Sequence, residues 1–350
     1  MRALVMTTIG ESLEVGEVRD PELHDDGIII ETKANGICRS DWHLWQGEWS
    51  WLGMSIEVPW VFGHEFAGVV VEVGKDSKRF AVGDRVFVPH VHGCGHCEDC
   101  RSGFPNVCMS LLAGISYWGG FGQFVSVPAA DRNVVSLPDT VSFEVAAGLG
   151  CRFMTAWHGI VDQAQVKPGE WVVVSGSGGL GLSAIQVAAK AGASVIATDI
   201  NDQALALAKQ AGASHVVNSK QDDPVLAVQE LTGGGAHVSV DALGLRATCQ
   251  AAIASLRKRG RHLQAGLTSQ EEEGYVALPV DTIALQELQI IGCANMPISR
   301  APDMVRMVEN GVIDPGAMIT KTVDLEGARD TMHDMGSFNA PGITVINNWN

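Results

Sequence analysis

The chain has 350 residues, of which 46% are hydrophobic and 18% charged, so it is long enough for two domains and too apolar to be intrinsically disordered. Its formal net charge of −16 argues against partners such as nucleic acid or anionic membranes. No apolar run has the length of a membrane span, and the opening MRALVMTTIGESLEVGEV has no signal-peptide pattern. We therefore expect a cytoplasmic protein whose cysteines are reduced.

Two early segments contain residue types that bind metals. Cys38 lies in GICRSDWH (36–43), and His64 and Glu65 lie in GHEFAGVVVEVGKDS (63–77). Taken separately, each segment has an ordinary explanation, because a cysteine beside a strand is often a small buried hydrophobic residue. A His-Glu pair before a glycine-rich turn is likewise compatible with a surface corner.

The next segment, HVHGCGHCEDCRSGFPNVC (90–108), contains half of the eight cysteines. They are separated by two, two and seven residues: Cys94, Cys97, Cys100 and Cys108. Glycines and a proline let the loop turn back on itself, so four thiolates can occupy the corners of a tetrahedron, as in a closed structural zinc site. An iron–sulfur cluster and unliganded thiols are the alternatives, although the proline-bearing pattern of ferredoxins is absent. The spacing favours a structural zinc lobe over 90–110.

These segments together resemble the zinc-dependent, medium-chain alcohol dehydrogenases of the MDR superfamily. Gly63-His64-Glu65, Gly68 and Gly74 have that family's signature spacing, and GDRV (83–86) and the cysteine lobe follow in the family's order. The resemblance runs nearly from end to end. It implies an α/β protein with a GroES-like β-barrel catalytic domain and a Rossmann domain, whose doubly wound parallel sheet binds NAD. The expected boundaries are 1–150 and 295–350 for the catalytic domain, and 151–294 for the NAD-binding domain.

The resemblance also implies a second, catalytic zinc. Its ligands would be Cys38, His64 and Cys151, the last within AAGLGCRFMTAWHGI (146–160). Three protein ligands leave a fourth position for water or substrate, which distinguishes a catalytic zinc from a structural one. Without the other motifs, Cys151 would be interpreted as a packed core thiol.

Four further residues receive roles by resemblance. Glu65 is expected behind the metal as a supporting carboxylate or transient ligand, and Asp41 is expected to orient the ligand imidazole. Ser40 and His43 are expected to relay the proton of an alcohol outward, because a hydroxyl followed by an imidazole that titrates near neutrality can do so. The alternative for His43 is an ordinary surface histidine.

The second half of the chain predicts a dinucleotide-binding fold. The pattern is a strand, a glycine turn, a helix and a second strand: WVVVS (171–175), GSGGLG (176–181), LSAIQVAAKAGA and SVIATD (194–199). Gly176 permits the tight turn, Gly178 lets the backbone approach a pyrophosphate, and Gly181 lets the helix pack on the sheet. The helix N-terminus would then face the phosphates.

Asp199 ends the second strand, where a carboxylate accepts the ribose hydroxyls and repels a 2′-phosphate, which favours NAD over NADP. A cap of the strand end is the alternative. Together with the resemblance, which places Thr155 near the nicotinamide and Arg39 near the pyrophosphate, this predicts cofactor contacts from Arg39, Thr155, Gly176, Gly178, Gly179, Leu180, Gly181, Asp199 and Ile200.

More αβ units follow: HVVNS (215–219), AHVSVDALG (236–244) and GRHLQAGL (260–267). QIIGCANM (289–296) resembles the family's last nucleotide-domain strand, which is often used for subunit pairing, so we expect a homodimer or homotetramer. One departure from the family is Gly342-Ile343, where members usually have Gly-Arg. Another is a cluster of tryptophans between positions 42 and 60, which either packs the barrel or lines an apolar pocket together with His90.

The expected activity is the interconversion of small apolar primary or secondary alcohols with aldehydes or ketones, by zinc-assisted hydride transfer to NAD. A polyol, threonine or formaldehyde dehydrogenase of the same superfamily is the nearer alternative, although Cys151 in place of an acidic third ligand argues against the polyol branch. A non-catalytic zinc protein that binds nucleic acid is the alternative from another class, and the acidic composition argues against it.

Overall fold

A computed structural model describes residues 1–54, 56–108, 117–337 and 341–350. The chain forms two compact units: the first comprises Met1–Met154 and Asn295–Asn350, and the second comprises Thr155–Ala294. Residues 109 and 110, at the end of the predicted lobe, lie outside the described residues. Within the described ranges, no helix combines the length and apolar character needed to cross a membrane.

The first 148 residues consist mainly of strands joined by short helices. The strands are β1 (Arg2–Met6), β2 (Leu13–Glu17), β3 (Ile28–Gly36), β4 (Trp60–Val61), β5 (Phe66–Val73), β6 (Arg85–Val88), β7 (Phe124–Val127) and β8 (Val135–Ser136). The α-helices are α1 (Arg39–Gln46), α2 (Glu98–Arg101), α3 (Ala130–Asn133) and α4 (Phe143–Ala147). Single 3₁₀ turns are Ser50–Leu52 and Pro105–Val107.

The chain then passes through α5 (Met154–Trp157), which is flanked by the π-helical turns Leu149–Phe153 and His158–Gln163. The strands of the second unit are β9 (Trp171–Ser175), β10 (Ser194–Asp199), β11 (His215–Asn218), β12 (Ala236–Asp241), β13 (Leu256–Gln264) and β14 (Gln289–Gly292). Its further helices are α6 (Gly179–Lys190), α7 (Asp202–Ala211), α8 (Pro224–Thr232), α9 (Arg246–Ala254) and α10 (Val280–Leu285).

The last part of the chain returns to the first unit. It forms α11 (Ala301–Glu309), β15 (Ile319–Val323), α12 (Leu325–Asp334) and β16 (Ile343–Ile346). The 3₁₀ turns here are Ile298–Arg300, Pro315–Met318 and Met335–Ser337. Strand β16 pairs with β3, so a strand from the last part of the chain belongs to the same sheet as a strand from the first part.

The second unit contains a parallel sheet with the strand order β11-β10-β9-β12-β13-β14. Numbered within this unit, that order is 3-2-1-4-5-6, the doubly wound arrangement that binds dinucleotides at the point where the order reverses. Central strand β9 is almost entirely buried, as its continuous apolar sequence requires when both faces of a sheet are covered. The predicted Rossmann fold is confirmed.

The first unit contains a largely antiparallel sheet with the order β15-β16-β3-β5-β6-β8, and β7 also pairs with β3. A smaller sheet has the order β2-β1-β4. Ile28 and Ile30 of β3 pack in one core with Phe66 and Val70 of β5. This packing fixes the antiparallel pairing of β3 with β5, and the candidate site lies at one end of that pair, where β3 ends and β5 begins.

Candidate functional site

The cysteines of the predicted lobe converge on one point. Their four sulfur atoms all lie within 4.8 Å of one another: Cys94, Cys97, Cys100 and Cys108. The Sγ atoms of Cys94 and Cys100 are 4.0 Å apart, which is too far for a disulfide. All eight cysteines lie within the described ranges, and none of them forms a disulfide. This donor set fits the predicted structural zinc.

Backbone N–H groups favour the thiolate form of one lobe cysteine, Cys94. Those of His96 and Cys97 lie 3.5 and 3.3 Å from Cys94 Sγ, and they lower the pKa of the Cys94 thiol to about 6. Helix α3 anchors the lobe, because Arg132 donates to the Cys94 carbonyl and Asn133 Oδ1 accepts a lobe N–H at 3.0 Å. A lowered thiol pKa favours the thiolate, which is the metal-binding form.

A second cluster forms at the ends of β3 and β5. Strand β3 ends at Gly36, two residues before Cys38, and β5 begins at Phe66, two residues after His64. Gly36 N donates to the Glu65 carbonyl at 2.8 Å, so the antiparallel pairing continues to the point where both chains leave the sheet. The pairing therefore places the first two predicted ligands side by side.

The third predicted ligand comes from a helical segment. Cys151 lies in the π-helical turn Leu149–Phe153, which follows α4. The sulfur atoms of Cys38 and Cys151 and a ring nitrogen of His64 lie within 4.8 Å of one another. All three belong to the first unit.

The imidazole of His64 is fixed on one side only. Its Nδ1 lies 2.9 Å from Asp41 Oδ1, and the residue is 1% exposed. Asp41 also accepts the N–H groups of Gly63 and Cys38, both at 3.2 Å. Within the described residues, His64 Nε2 is buried without a hydrogen-bond partner. A buried, unpaired nitrogen beside two sulfurs is unfavourable unless it binds something, so the cluster fits a zinc ion.

The two cysteines of this cluster differ in acidity. A hydrogen bond from the Cys151 thiol holds the pKa of Cys38 well below its ordinary value, and burial opposes that shift. The same hydrogen bond, with burial, raises the pKa of Cys151 well above its ordinary value. Binding of a divalent cation by this pair would require both sulfurs to be deprotonated.

Helix α1 carries Ser40 and His43 within one turn of each other. Ser40 Oγ lies 3.7 Å from Cys38 Sγ. His43 Nδ1 lies 2.6 Å from Glu48 Oε2, and its ring stacks on Trp49 with centroids 4.8 Å apart. Burial lowers the pKa of His43, and Glu48 acts in the opposite direction. His43 is thus a largely enclosed imidazole with a carboxylate partner rather than a free surface side chain.

Glu65 contacts a residue that the sequence did not single out. Its carboxylate pairs with the guanidinium of Arg152, which follows Cys151 directly. Burial raises the pKa of the Glu65 carboxyl to about 7, while the neighbouring Arg152 charge opposes that rise. Glu65 therefore belongs to a buried ion pair next to the ligand His64 in the chain.

The tryptophan segment mainly packs the first unit. Trp45 and Trp49 belong to a buried core, and Trp42 and Trp60 pack against it. Trp42 and Trp45 line a cavity of about 710 Å³, and the residues lining it include none of the three predicted zinc ligands. His90 lies nearer to those ligands, because its ring centroid is 4.3 Å from that of His64.

The glycine turn after β9 has the geometry of a phosphate-binding turn. Gly176 has a φ of +91°, which glycine adopts without strain. A Cβ on Gly181 would lie 1.7 Å from the Gly176 carbonyl oxygen, so only glycine allows this close packing of α6. A Cβ on Gly178 would meet nothing within 4 Å, so the backbone there is open to a ligand. These three positions fit a pyrophosphate.

Asp199 lies beside this turn at the end of β10. Its Oδ2 accepts the N–H of Ser177 at 2.7 Å, and its Oδ1 accepts that of Asn201 at 2.9 Å. These bonds fix the carboxylate plane and leave further acceptor positions on both oxygens. The arrangement fits the two hydroxyls of a ribose.

The remaining predicted cofactor residues are divided between the units. Gly179 and Leu180 open α6, and Ile200, 48% exposed, follows Asp199. Thr155 begins the second unit. Arg39 belongs to the first unit, where its guanidinium lies 4.3 Å from the ring centroid of Trp42.

Sequence reasoning missed two side chains of this site. Glu48 is the partner of His43, and Arg152 is the partner of Glu65. A charged residue immediately after Cys151 in an otherwise apolar segment was the available signal for Arg152. No comparable signal pointed to Glu48, because an acidic residue beyond the end of a helix is common.

Comparison with known protein families covers both units. Residues 24–139 match the family model described as alcohol dehydrogenase GroES-like domain, and residues 179–310 match the model described as zinc-binding dehydrogenase. These matches confirm the predicted GroES-like and nucleotide-binding parts of the fold.

Individual relatives match over most of their length. An alcohol dehydrogenase of Geobacillus stearothermophilus is 36% identical over 83% of this chain and 84% of that protein. An NAD-dependent alcohol dehydrogenase of Sulfurisphaera tokodaii is 33% identical over 99% of each chain. The solved structure of alcohol dehydrogenase TADH from Thermus sp. ATN1 has 27% identity, covers all of both chains and superposes with a TM-score of 0.90.

Proposed function

The chain belongs to the zinc-dependent, medium-chain alcohol dehydrogenases, and from that premise we propose that it oxidises small apolar primary or secondary alcohols to aldehydes or ketones with NAD. Alcohol oxidoreduction is the activity of the family. The apolar substrate preference rests on the sequence of segment 42–60, where few residues are charged, because most of its tryptophans pack in or against the core of the first unit.

One observation carries this proposal: the cluster of two sulfurs and one unpaired imidazole nitrogen formed by Cys38, His64 and Cys151. A structural zinc site supplies four protein ligands, whereas a catalytic one supplies three. Zinc held here would act as a Lewis acid that lowers the pKa of the substrate hydroxyl. The four-cysteine lobe would hold the second, structural zinc.

The residues around this cluster support the proposed proton path. Ser40 Oγ lies within 3.7 Å of a ligand sulfur, where a hydroxyl can accept the proton of the substrate. His43, one turn further along α1, would receive that proton, and Glu48 would stabilise the resulting imidazolium. Asp41 would hold His64 in the orientation in which Nε2 faces the metal.

The second unit supports NAD as the hydride acceptor. The glycine turn at 176–181 would hold the pyrophosphate at the N-terminus of α6, and Asp199 would accept the ribose hydroxyls. Arg39 and Thr155 are proposed to contact the pyrophosphate and the nicotinamide, respectively. A carboxylate at Asp199 would repel the 2′-phosphate of NADP.

Strand β14 supports a homo-oligomer. It is the last strand in the order of its sheet, so one edge of its backbone is available to a second copy of the chain. The exposed apolar side chain Ile290 lies on it, and three more precede it in the chain: Tyr275, Val280 and Leu285. We propose pairing of two copies through this edge, in a cytoplasmic protein that keeps its thiols reduced.

The test is the formation of reduced nicotinamide, followed by its absorbance, when the zinc-loaded protein receives NAD and benzyl alcohol or cyclohexanol. Oxidation of these alcohols in preference to sorbitol and threonine is the expected result. Asp199→Gly should lower the preference for NAD over NADP, because the carboxylate both binds ribose and repels the 2′-phosphate. An unchanged coenzyme ratio would show that Asp199 does not contact the ribose.

His90 favours a second candidate, the oxidation of alcohols that carry another polar group. Its Nδ1 is buried without a hydrogen-bond partner among the described residues, and its ring adjoins His64. Burial lowers the pKa of His90 well below its ordinary value, which favours the neutral ring, and a neutral imidazole offers one donor and one acceptor nitrogen. Faster turnover of sorbitol or threonine than of cyclohexanol would favour this candidate.

A further inference from the structure

The ion pair between Glu65 and Arg152 lies in the interior of the first unit. Glu65 is 0% exposed and Arg152 is 7% exposed. Arg152 Nε donates to Glu65 Oε1 at 3.0 Å, and Arg152 Nη2 donates to Oε2, so the guanidinium grips both carboxylate oxygens. Such a bidentate pair fixes the orientation of both side chains.

Arg152 also contacts the neighbours of the zinc ligands. It follows Cys151 in sequence, its partner Glu65 follows His64, and its Nη1 donates to the carbonyl of Ile37, the residue before Cys38, at 3.2 Å. The backbone N–H of Arg152 donates to Glu65 Oε1 as well, at 3.1 Å. One side chain thereby links the three chain segments that each supply one ligand.

Gly36 makes room for this linkage. A Cβ at this position would lie 2.6 Å from Glu65 Oε2 and 2.8 Å from Arg152 Nη2. Any side chain on residue 36 would therefore displace the ion pair. The end of β3 is thus shaped to accommodate the ion pair as well as to deliver Cys38.

The ion pair with Arg152 also restrains the carboxylate of Glu65. Both oxygens of Glu65 are engaged by Arg152, and Glu65 is not among the side chains whose donor atoms cluster within 4.8 Å in the described part of the chain. Removing the guanidinium would leave a buried carboxylate without a counter-charge next to two sulfurs and a potential metal ion. We expect such a carboxylate to move to the metal, because the metal ion would supply the missing counter-charge.

We propose that Arg152 is a positioning residue of the three-ligand site, which holds the segments bearing Cys38, His64 and Cys151 in register and keeps Glu65 from ligating the metal. This inference rests on the proposed function only in assuming that these three residues bind zinc. A role confined to general stability is the alternative.

The test measures zinc release from the full-length, zinc-loaded protein to a chromogenic chelator. Arg152→Gln should release one of the two zinc ions at least about tenfold faster than the unmodified protein, in line with the effect of losing a group that orients metal ligands. The cysteine lobe is the internal control, and its zinc should leave at an unchanged rate. Arg152→Lys keeps the positive charge but cannot bind both carboxylate oxygens in the same way, so its zinc-release rate should be intermediate. This variant still tests the inference if Arg152→Gln does not fold.

Cobalt substitution tests the restraint on Glu65 separately. In the Co²⁺-substituted Arg152→Gln protein, Glu65 should join the metal, and the visible absorption should weaken as four-coordinate cobalt becomes five-coordinate. Adding Glu65→Gln should restore the four-coordinate spectrum, because the neutral amide is a poor ligand.

Equal release rates in the unmodified protein and both Arg152 variants would overturn the inference. So would faster release from both zinc sites together with a lower Tm, which is the signature of a purely structural role. Because zinc release requires no substrate, a protein that binds two zinc ions but oxidises no alcohol would contradict the proposed function alone.

Discussion

The two candidate zinc clusters of the first unit use cysteine in different ways. The lobe takes all four sulfurs from a single segment between positions 94 and 108, and its own backbone N–H groups surround them. The three-ligand cluster takes Cys38, His64 and Cys151 from segments far apart in the chain. Buried charged side chains lie around it: Asp41 contacts His64, and Arg152 pairs with Glu65.

This difference indicates what each cluster is built for. A closed set of four thiolates needs only a loop that can fold back, and the free energy of metal binding then holds the loop. An open set of three must keep its shape when the fourth ligand changes, so it depends on a rigid framework of paired strands and buried hydrogen bonds.

The largest expected effect separates the two clusters directly. Cys151→Ser removes one of three ligands from the proposed catalytic site, so alcohol oxidation should become undetectable and metal analysis should fall from two zinc ions per subunit to one. The Tm should change little, because the surrounding strands have their own apolar cores. Calorimetry and metal analysis check both statements. A large fall in Tm would contradict the distinction between a catalytic and a structural zinc site.

Cys100→Ser is the matched change in the lobe. It should lower the Tm by several degrees, since each kcal/mol lost lowers the Tm of a domain of this size by about 2–4 °C. Turnover measured well below the Tm should be nearly normal. Loss of turnover at full thermal stability would show that the lobe contributes to catalysis.

Asp41→Asn should have a moderate effect confined to the three-ligand cluster. The amide keeps one acceptor for His64 Nδ1 but turns an N–H group toward the N–H of Cys38. Zinc affinity at this site should fall by about tenfold. Arg132→Gln in the lobe is the control, because it removes a supporting hydrogen bond from the other cluster. Equal weakening of both sites by Asp41→Asn would argue against a local role.

The smallest expected effect is a shift in pH dependence. Glu48 raises the pKa of His43, so Glu48→Gln should let that pKa fall further. Turnover declines as the relay imidazole gains a proton, and the acidic limb of the pH–rate profile should therefore move to lower pH. His43→Gln should remove that limb and slow turnover near neutral pH with zinc content intact. Identical profiles in all three proteins would exclude His43 from the proton path.

The sequence predicts those features that are determined by residues adjacent in the chain. The apolar strands at 171–175 and 194–199 have the predicted bounds, because each is bordered by glycine, polar or acidic residues that end a buried strand. The lobe was likewise predictable from its spacing. The strand predicted from 260 instead begins at Leu256, because the exposed, charged Arg257–Arg259 stretch conceals its start.

Features that depend on distant residues escaped prediction. The partners Glu65 and Arg152 are brought together by the packing of α4 and the π-helical turn after it near the ends of β3 and β5, which no local pattern reveals. The three-ligand set itself was assigned by resemblance to a family rather than from spacing. Local chemistry identifies candidate donors, but only the folded chain decides which of them meet.

The spacing of the ligands also determines when each metal can be acquired during protein synthesis. The four thiols between positions 94 and 108 emerge from the ribosome almost together, and closing so short a loop requires little loss of chain entropy. The other site cannot form until residue 151 has emerged and the β3–β5 pair has assembled. A nascent chain should therefore acquire its lobe zinc first, and a cell short of zinc should accumulate folded subunits that hold one metal ion and have no activity.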